Sequence, residues 1–257
     1  MDILDSLPLD IRLILLNILS TEEYHIAYAM LAFTNKQYYK LVSDHAIENR
    51  ICVTISCEKI ALEGSLSILK WARTNEYVWD SWTCASAALK GHWGVLKWAH
   101  ENGCEWNANV CSNAALNGHF GILKWARDNG CEWSTNVCSN AALHGHLHIL
   151  IWAHQHGCPR DQYTCRNAAF SGHLDILKWA RENGFEWDSG TCADAAVGGH
   201  LEVLKWVREN GCEWDYLTCS YAAANGRREV LKWAKDNGCE WVTASGRRKK
   251  RTLEMDI

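Results

Sequence analysis

Thirteen cysteines and twelve histidines are the side chains in this 257-residue chain whose types could do chemistry. Cys104 and Cys111 stand seven residues apart with His119 close behind, and the pattern recurs along the chain. Thiolate plus imidazole is zinc chemistry. The tight C-x-x-C pairs of a strong zinc signature are absent from the sequence, however, and the sequence varies its own pattern. The cysteine of the segment before each Glu-Trp becomes Phe185 in one place and Tyr77 in another. A position that accepts Phe and Tyr selects apolar volume, so these cysteines are expected to act as small core residues. His92, His119, His146, His173 and His200 each follow a glycine, and Arg227 takes the sixth place. Their expected role is hydrogen bonding at a helix N-terminus. Nucleophile elbows, phosphate-binding glycine loops and metalloprotease motifs are missing. The expectation is a chain with no metal, no cofactor and no catalytic residue, and hence not an enzyme.

These residues are placed by a repeat. Trp71, Trp98, Trp125, Trp152, Trp179, Trp206 and Trp233 are spaced by 27 residues. Cys57, Cys84, Cys111, Cys138, Cys165, Cys192 and Cys219 keep the same step, and so do seven glycines from Gly64 to Gly226. In one unit the segment Cys111 to Leu116 is Ala-rich and reads as a helix of about two turns, ended by Gly118. Phe120, Ile122, Leu123, Trp125 and Ala126 then follow helical spacing over about three turns. Asn129-Gly130 ends that helix, and a loop leads to the next unit. A helix pair this short cannot bury its own apolar face, so neighbours must stack. One buried Trp per unit would contribute roughly 4–6 kcal/mol gross at ~25 cal/mol per Å².

The stretch from Ala195 to Gly211, AA-x-x-GHLEVLKW-x-x-x-NG, resembles the ankyrin repeat, and the resemblance covers about residues 51 to 241. It implies an all-α, ankyrin-like helix-turn-helix solenoid of about seven 27-residue repeats, preceded by a small helical segment. The family's repeat is longer and places a β-hairpin between helix pairs; this shorter unit is expected to carry a tight loop instead. Short arrays rich in Cys-Glu-Trp also resemble those of giant DNA viruses of amoebae.

Residues 1–50 lack the rhythm. Leu7-Pro8 opens a run in which Ile11, Ile14, Leu15, Ile18 and Leu19 fall at helical spacing. Thr21 is a plausible N-cap of a second helix, and Tyr38, Tyr39, Leu41 and Val42 mark a third. The segment is similar to an F-box. That resemblance implies docking on the Skp-type linker of a cullin-RING ubiquitin ligase through Leu7, Pro8, Ile11, Leu15 and Leu19. The plain alternative is a helical cap over the apolar end of the array.

Net charge is −4, which gives no general attraction to nucleic acid or anionic membrane. Arg247 to Arg251 form a basic run inside residues 242–257, expected as a disordered tail or as a nuclear-import signal. The odd cysteine count and the acidic Asp2 and Asp5 near the start predict free thiols in a reducing, cytoplasmic setting. A monomer without membrane spans is expected.

Positions that repeat are architectural, and positions that vary are free to specify a partner. Variation falls in the loop after Glu-Trp and on one side of the first helix, including Asn113, Asn140, Asn167 and Asp194. Aromatic and Arg side chains anchor most interfaces, so Trp82, Arg160, Tyr163, Arg166, Tyr216 and Tyr221 are the candidate partner-binding residues. The resulting expectation is a protein–protein interaction module, a substrate receptor that brings a target to a ubiquitin ligase. The alternative is a scaffolding or inhibitory binding solenoid without that link.

Overall fold

A computed structural model describes residues 56–74, 76–160, 162–242 and 248–249. The F-box-like positions Leu7, Pro8, Ile11, Leu15 and Leu19 lie outside the described residues. The chain divides into two compact units, with the boundary between Trp106 and Asn107.

The first unit holds α1 (Cys57–Glu63), α2 (Leu66–Thr74), α3 (Ser81–Lys90) and α4 (Trp93–Glu101). The second continues with α5 (Ala108–Leu116), α6 (Phe120–Asp128), α7 (Thr135–Leu143), α8 (Leu147–Gln155) and α9 (Gln162–Ser171). It is completed by α10 (Leu174–Glu182), α11 (Ser189–Gly198), α12 (Leu201–Glu209), α13 (Tyr216–Ala224) and α14 (Arg228–Asp236). Each repeat is a first helix, a turn and a second helix, so the all-α helix–turn–helix fold read from the sequence is the fold observed. No described helix is long and apolar enough to cross a membrane.

Local chemistry sets the ends. Asp80, Asn107 and Asp215 occupy the N-cap of a first helix, where the side-chain oxygen accepts from the N–H two residues on at 2.8–3.0 Å. At the other end Gly118 is left-handed (φ +76°), and the His119 N–H donates to Ala114 O at 2.8 Å. Second helices stop in the same way: Cys131 N donates to Ala126 O at 2.9 Å, and the Asn129 amide caps Trp125 O at 2.8 Å. Residues 131–134 then lead directly into α7, the tight loop expected in place of a hairpin.

Packing is between like elements. In the second unit α7 packs on α5, α9 on α7, α11 on α9 and α13 on α11; in the first, α3 packs on α1. The interior consists of small first-helix residues, such as Cys111, Ala114 and Ala115, against Ile122, Leu123 and Ala126 of the second helix, all buried. Burying each such Ile or Leu contributes about 1.5–3 kcal/mol.

Two expectations change. The repeated tryptophans are only half-buried. They form a rim in which the loop Trp of one repeat meets the helix Trp of the next edge-on: Trp79 on Trp98, Trp133 on Trp152, Trp187 on Trp206 and Trp214 on Trp233, with centroids 5.7–5.8 Å apart. Aliphatic residues, rather than Trp, therefore hold the centre. The turn histidines also do not cap their own helices, since none of them makes a side-chain N-cap hydrogen bond. They reach back one repeat instead. His92 Nε2–H donates to Leu62 O at 3.0 Å, and Arg227 Nε repeats the bond to Val197 O at 3.0 Å. The ring fills space that a glycine leaves open: a Cβ on Gly64 would come within 2.5 Å of His92.

Beyond α14 the chain forms a two-residue strand, β1 (Trp241–Val242), antiparallel to β2 (Arg248–Lys249), with Trp241 opposite Lys249. The region read as a disordered tail therefore opens with strand pairing. Trp241 packs on the cluster of Cys219, Ala234 and Cys239 and so covers the last repeat.

Thr83, Thr191 and Thr218 bury hydroxyls that find no hydrogen-bond partner, while Val110 and Val137 hold the equivalent place in other repeats. Thr191→Val should therefore leave stability unchanged or raise it by up to ~1 kcal/mol, read from urea unfolding. His92→Ala should cost about 1–2 kcal/mol in the same assay, and His92→Arg should recover most of it.

Candidate protein-binding face

First helices bury their Cys/Ala side and turn the other side outward. On α9 the spacing 163, 166, 170 places Tyr163, Arg166 and Phe170 on one face. Tyr163 is 54% and Phe170 44% exposed. The helix is closed at its C-terminal end by the Gly172 and His173 N–H groups donating to Ala169 O and Ala168 O, and a packed helix presents these rings at little ordering cost to a binder.

Arg166 crosses to the next first helix. Its Nε donates to Asp194 Oδ2 on α11 at 2.7 Å, and the guanidinium lies 5.8 Å from the Tyr163 ring centroid. The Asp194 carboxylate raises the Arg166 pKa above its ordinary value, so the charge is fixed. Gly190 makes the crossing possible, because a Cβ there would come within 2.9 Å of the guanidinium carbon. With 32% and 21% of the two side chains exposed, the pair is oriented but remains reachable. Tyr221 on α13, packed beside α11, is 40% exposed and adds a further ring. Tyr216, at the start of α13, is half-buried.

The remaining candidates fall elsewhere. Trp82, 51% exposed on α3, belongs to the first unit. Arg160 is exposed but occupied: Nη1 donates to Asn183 O at 2.9 Å, as Trp133 Nε1 donates to His156 O at 2.9 Å one repeat earlier. Arg160 thus replaces a loop Trp in holding the next turn. Asn140 and Asn167, read as freely variable surface, are half-buried donors to Ser112 O and Ser139 O at 3.1 and 3.0 Å. Their variation is limited by that bond.

Two exposed aromatics escaped the sequence reading, Phe170 and the 41%-exposed Trp93 on α4. The signal was available. Phe170 stands where other repeats carry Leu116, Leu143 and Val197, and Trp93 where they carry Leu147, Leu174 and Leu201. In each case a ring too large for a half-buried aliphatic site extends into solvent.

Among the described residues no three His, Cys, Asp or Glu side chains converge as metal ligands. The thiols that meet are 20 residues apart, Cys111 with Cys131 and Cys138 with Cys158, each pair with Sγ–Sγ at 2.6 Å. His144, His146 and His148 lie in a row with ring centroids 6.3 Å apart, and burial lowers the His146 pKa below its ordinary value.

Because the rings at Tyr163 and Tyr221 stand outside the core, Tyr163→Ala and Tyr221→Ala should each shift unfolding free energy by no more than ~0.5 kcal/mol. Ile176→Ala, inside the core of the adjacent α10, should cost ~2–5 kcal/mol. Chemical denaturation of the three variants checks the contrast.

No family profile and no curated protein sequence matches this chain. Its fold is similar to that of the ankyrin repeat domain of human ASB11, known from a crystal structure. The TM-score is 0.50 at 19% sequence identity, covering 62% of this chain and 85% of that one. The repeating helix–turn–helix architecture is thus that of an ankyrin repeat domain.

Proposed function

We propose that this chain is a protein-binding array whose second unit captures a target on the outward face of α9, α11 and α13. The observation that carries this reading is the group of exposed rings, Tyr163, Phe170 and Tyr221, set around the Arg166–Asp194 pair on neighbouring first helices. Rings supply large contact area with few rotatable bonds, and a fixed guanidinium supplies direction. Partners of this kind of face are protein segments that present apolar side chains beside a carboxylate or backbone carbonyls.

The finer reading assigns residues 1–50 the role of recruiter. Leu7, Pro8, Ile11, Leu15 and Leu19 would dock on the Skp-type linker of a cullin-RING ligase, making the chain a substrate receptor. The F-box-like spacing of those residues supports it. On this reading the target is a protein of a host cell's cytoplasm, which the resemblance to arrays of giant DNA viruses supports, and Arg247 to Arg251 would be a route to the nucleus.

Two sets of substitutions in the full-length chain separate the halves. Ile11→Asp with Leu15→Asp should abolish capture of purified Skp-type linker and leave target capture intact. Tyr163→Ala with Phe170→Ala should do the reverse, weakening the captured target by at least ~10-fold. If wild-type protein fails to bind the linker, the recruiter role is wrong and only the binding array stands. If the aromatic variant captures every protein as well as wild type does, the binding face is wrongly placed.

A further inference from the structure

Five repeats bring a first-helix cysteine against the cysteine of the same repeat's closing loop. Cys111 meets Cys131, and Cys138 meets Cys158, at 2.6 Å between sulfurs. Cys84 with Cys104, Cys192 with Cys212, and Cys219 with Cys239 hold the equivalent places, and each partner shifts the other's pKa. Each pair spans 20 residues, and all ten thiols are free and buried. Buried thiols that merely fill volume need no such partner. The first described repeat shows this, with Tyr77 at the loop position and Cys57 Sγ facing Tyr77 O.

We infer that these five pairs are sites of reversible oxidation, each taking a peroxide-class oxidant to a disulfide that ties a repeat's first helix to its own closing loop. The loop cysteine is the first to react in the central repeats. Cys131 sits beneath Arg127, whose Nη1 donates to Cys131 O. The hydrogen bond from Cys111 and the guanidinium both favour its thiolate, and the Cys111 thiol is pushed up in turn. Arg208 and Cys212 repeat the arrangement. Access would come through the loop, because Gly130 and Glu132 on either side of Cys131 are exposed and opening a short segment costs less than unfolding the helices.

The step balances. The Cys131 thiolate attacks one peroxide oxygen, the O–O bond breaks, and the leaving hydroxide takes a proton to become water. The sulfenic acid formed on Cys131 is then displaced by the sulfur of Cys111, which loses its proton as the S–S bond closes and a second water leaves. The two thiols give up two electrons, and the peroxide accepts them. The product closes a loop that removes freedom from the unfolded chain alone, so the oxidised array should be the more stable form.

The test uses reduced, full-length protein exposed to hydrogen peroxide, then denatured, alkylated and mapped by mass spectrometry without reduction. The expected result is a loss of two hydrogens per pair, bridges 84–104, 111–131, 138–158, 192–212 and 219–239, and a raised thermal midpoint that dithiothreitol reverses. Cys131→Phe, a residue the array already accepts at Phe185, should remove the 111–131 bridge alone. The inference is overturned if all thiols remain alkylatable after exposure, if sulfinic acids form in place of bridges, or if the bridges join other cysteines. The wild-type map decides by itself should the variant fail to fold.

Discussion

A helix of nine residues ends with carbonyl groups that its own turns cannot satisfy, and in this chain the next repeat supplies part of the remedy. His92 donates to Leu62 O, and Arg227 donates to Val197 O. The Asn140 and Asn167 amides reach Ser112 O and Ser139 O one level below. Part of the stability is thus held between repeats. The glycine turn is part of the same constraint, because the ring or guanidinium of the following repeat lies where a Cβ would otherwise stand. Small first-helix residues, Cys and paired Ala, follow from it as well, since first helices can approach closely only if their facing side chains are short.

The period, the helix limits and the tight loop were legible because each is local: caps, glycine turns and 3.6-residue spacing are written in consecutive residues. What the side chains do across repeats was not. His92 looks from its position like the cap of α4, and only the stacked neighbour shows the carbonyl 30 residues back that it bonds. Asn167 varies to Asp194 and Tyr221 along the chain and therefore reads as free surface, yet the Asn and Asp forms are both engaged with the preceding repeat, Asp194 through Arg166. The tryptophans misled for a related reason. A regular spacing marks them as structural but does not say whether they lie inside or at the rim, where one edge of the indole packs and the other meets water.

The rim has its own logic. A basic side chain four residues before the loop cysteine bonds that cysteine's carbonyl and covers the loop Trp, as Arg208 does with Cys212 O and the Trp214 ring at 4.3 Å. Loop closure, thiol environment and Trp–Trp contact are therefore coupled through one guanidinium. Where the residue is His100 the ring stacks on Trp106 at 3.6 Å instead. The recurrence of one geometry with changing chemistry shows that the repeat fixes volumes and bond directions more tightly than residue types.

Departures from the repeat are not evenly spread. Pro159, Arg160, Tyr163, Arg166, Phe170 and Phe185 all fall within one 27-residue step; most other repeats carry Glu, Trp, Ala or Ser, Leu and Cys at five of these places, while the place of Tyr163 holds Trp82, Asn109, Asn136, Gly190 and Leu217. Two of these changes preserve packing. Arg160 keeps the bond to the next turn that a Trp makes elsewhere, and Phe185 fills the loop cysteine's place against Trp179 and His154, with centroids at 5.7 and 5.4 Å. Tyr163 and Phe170 differ, for about half of each ring stands in solvent. Their placement on one side of α9, with Arg166 tied to the following helix between them, leaves ring surface in solvent on a scaffold whose interior tolerates the exchange.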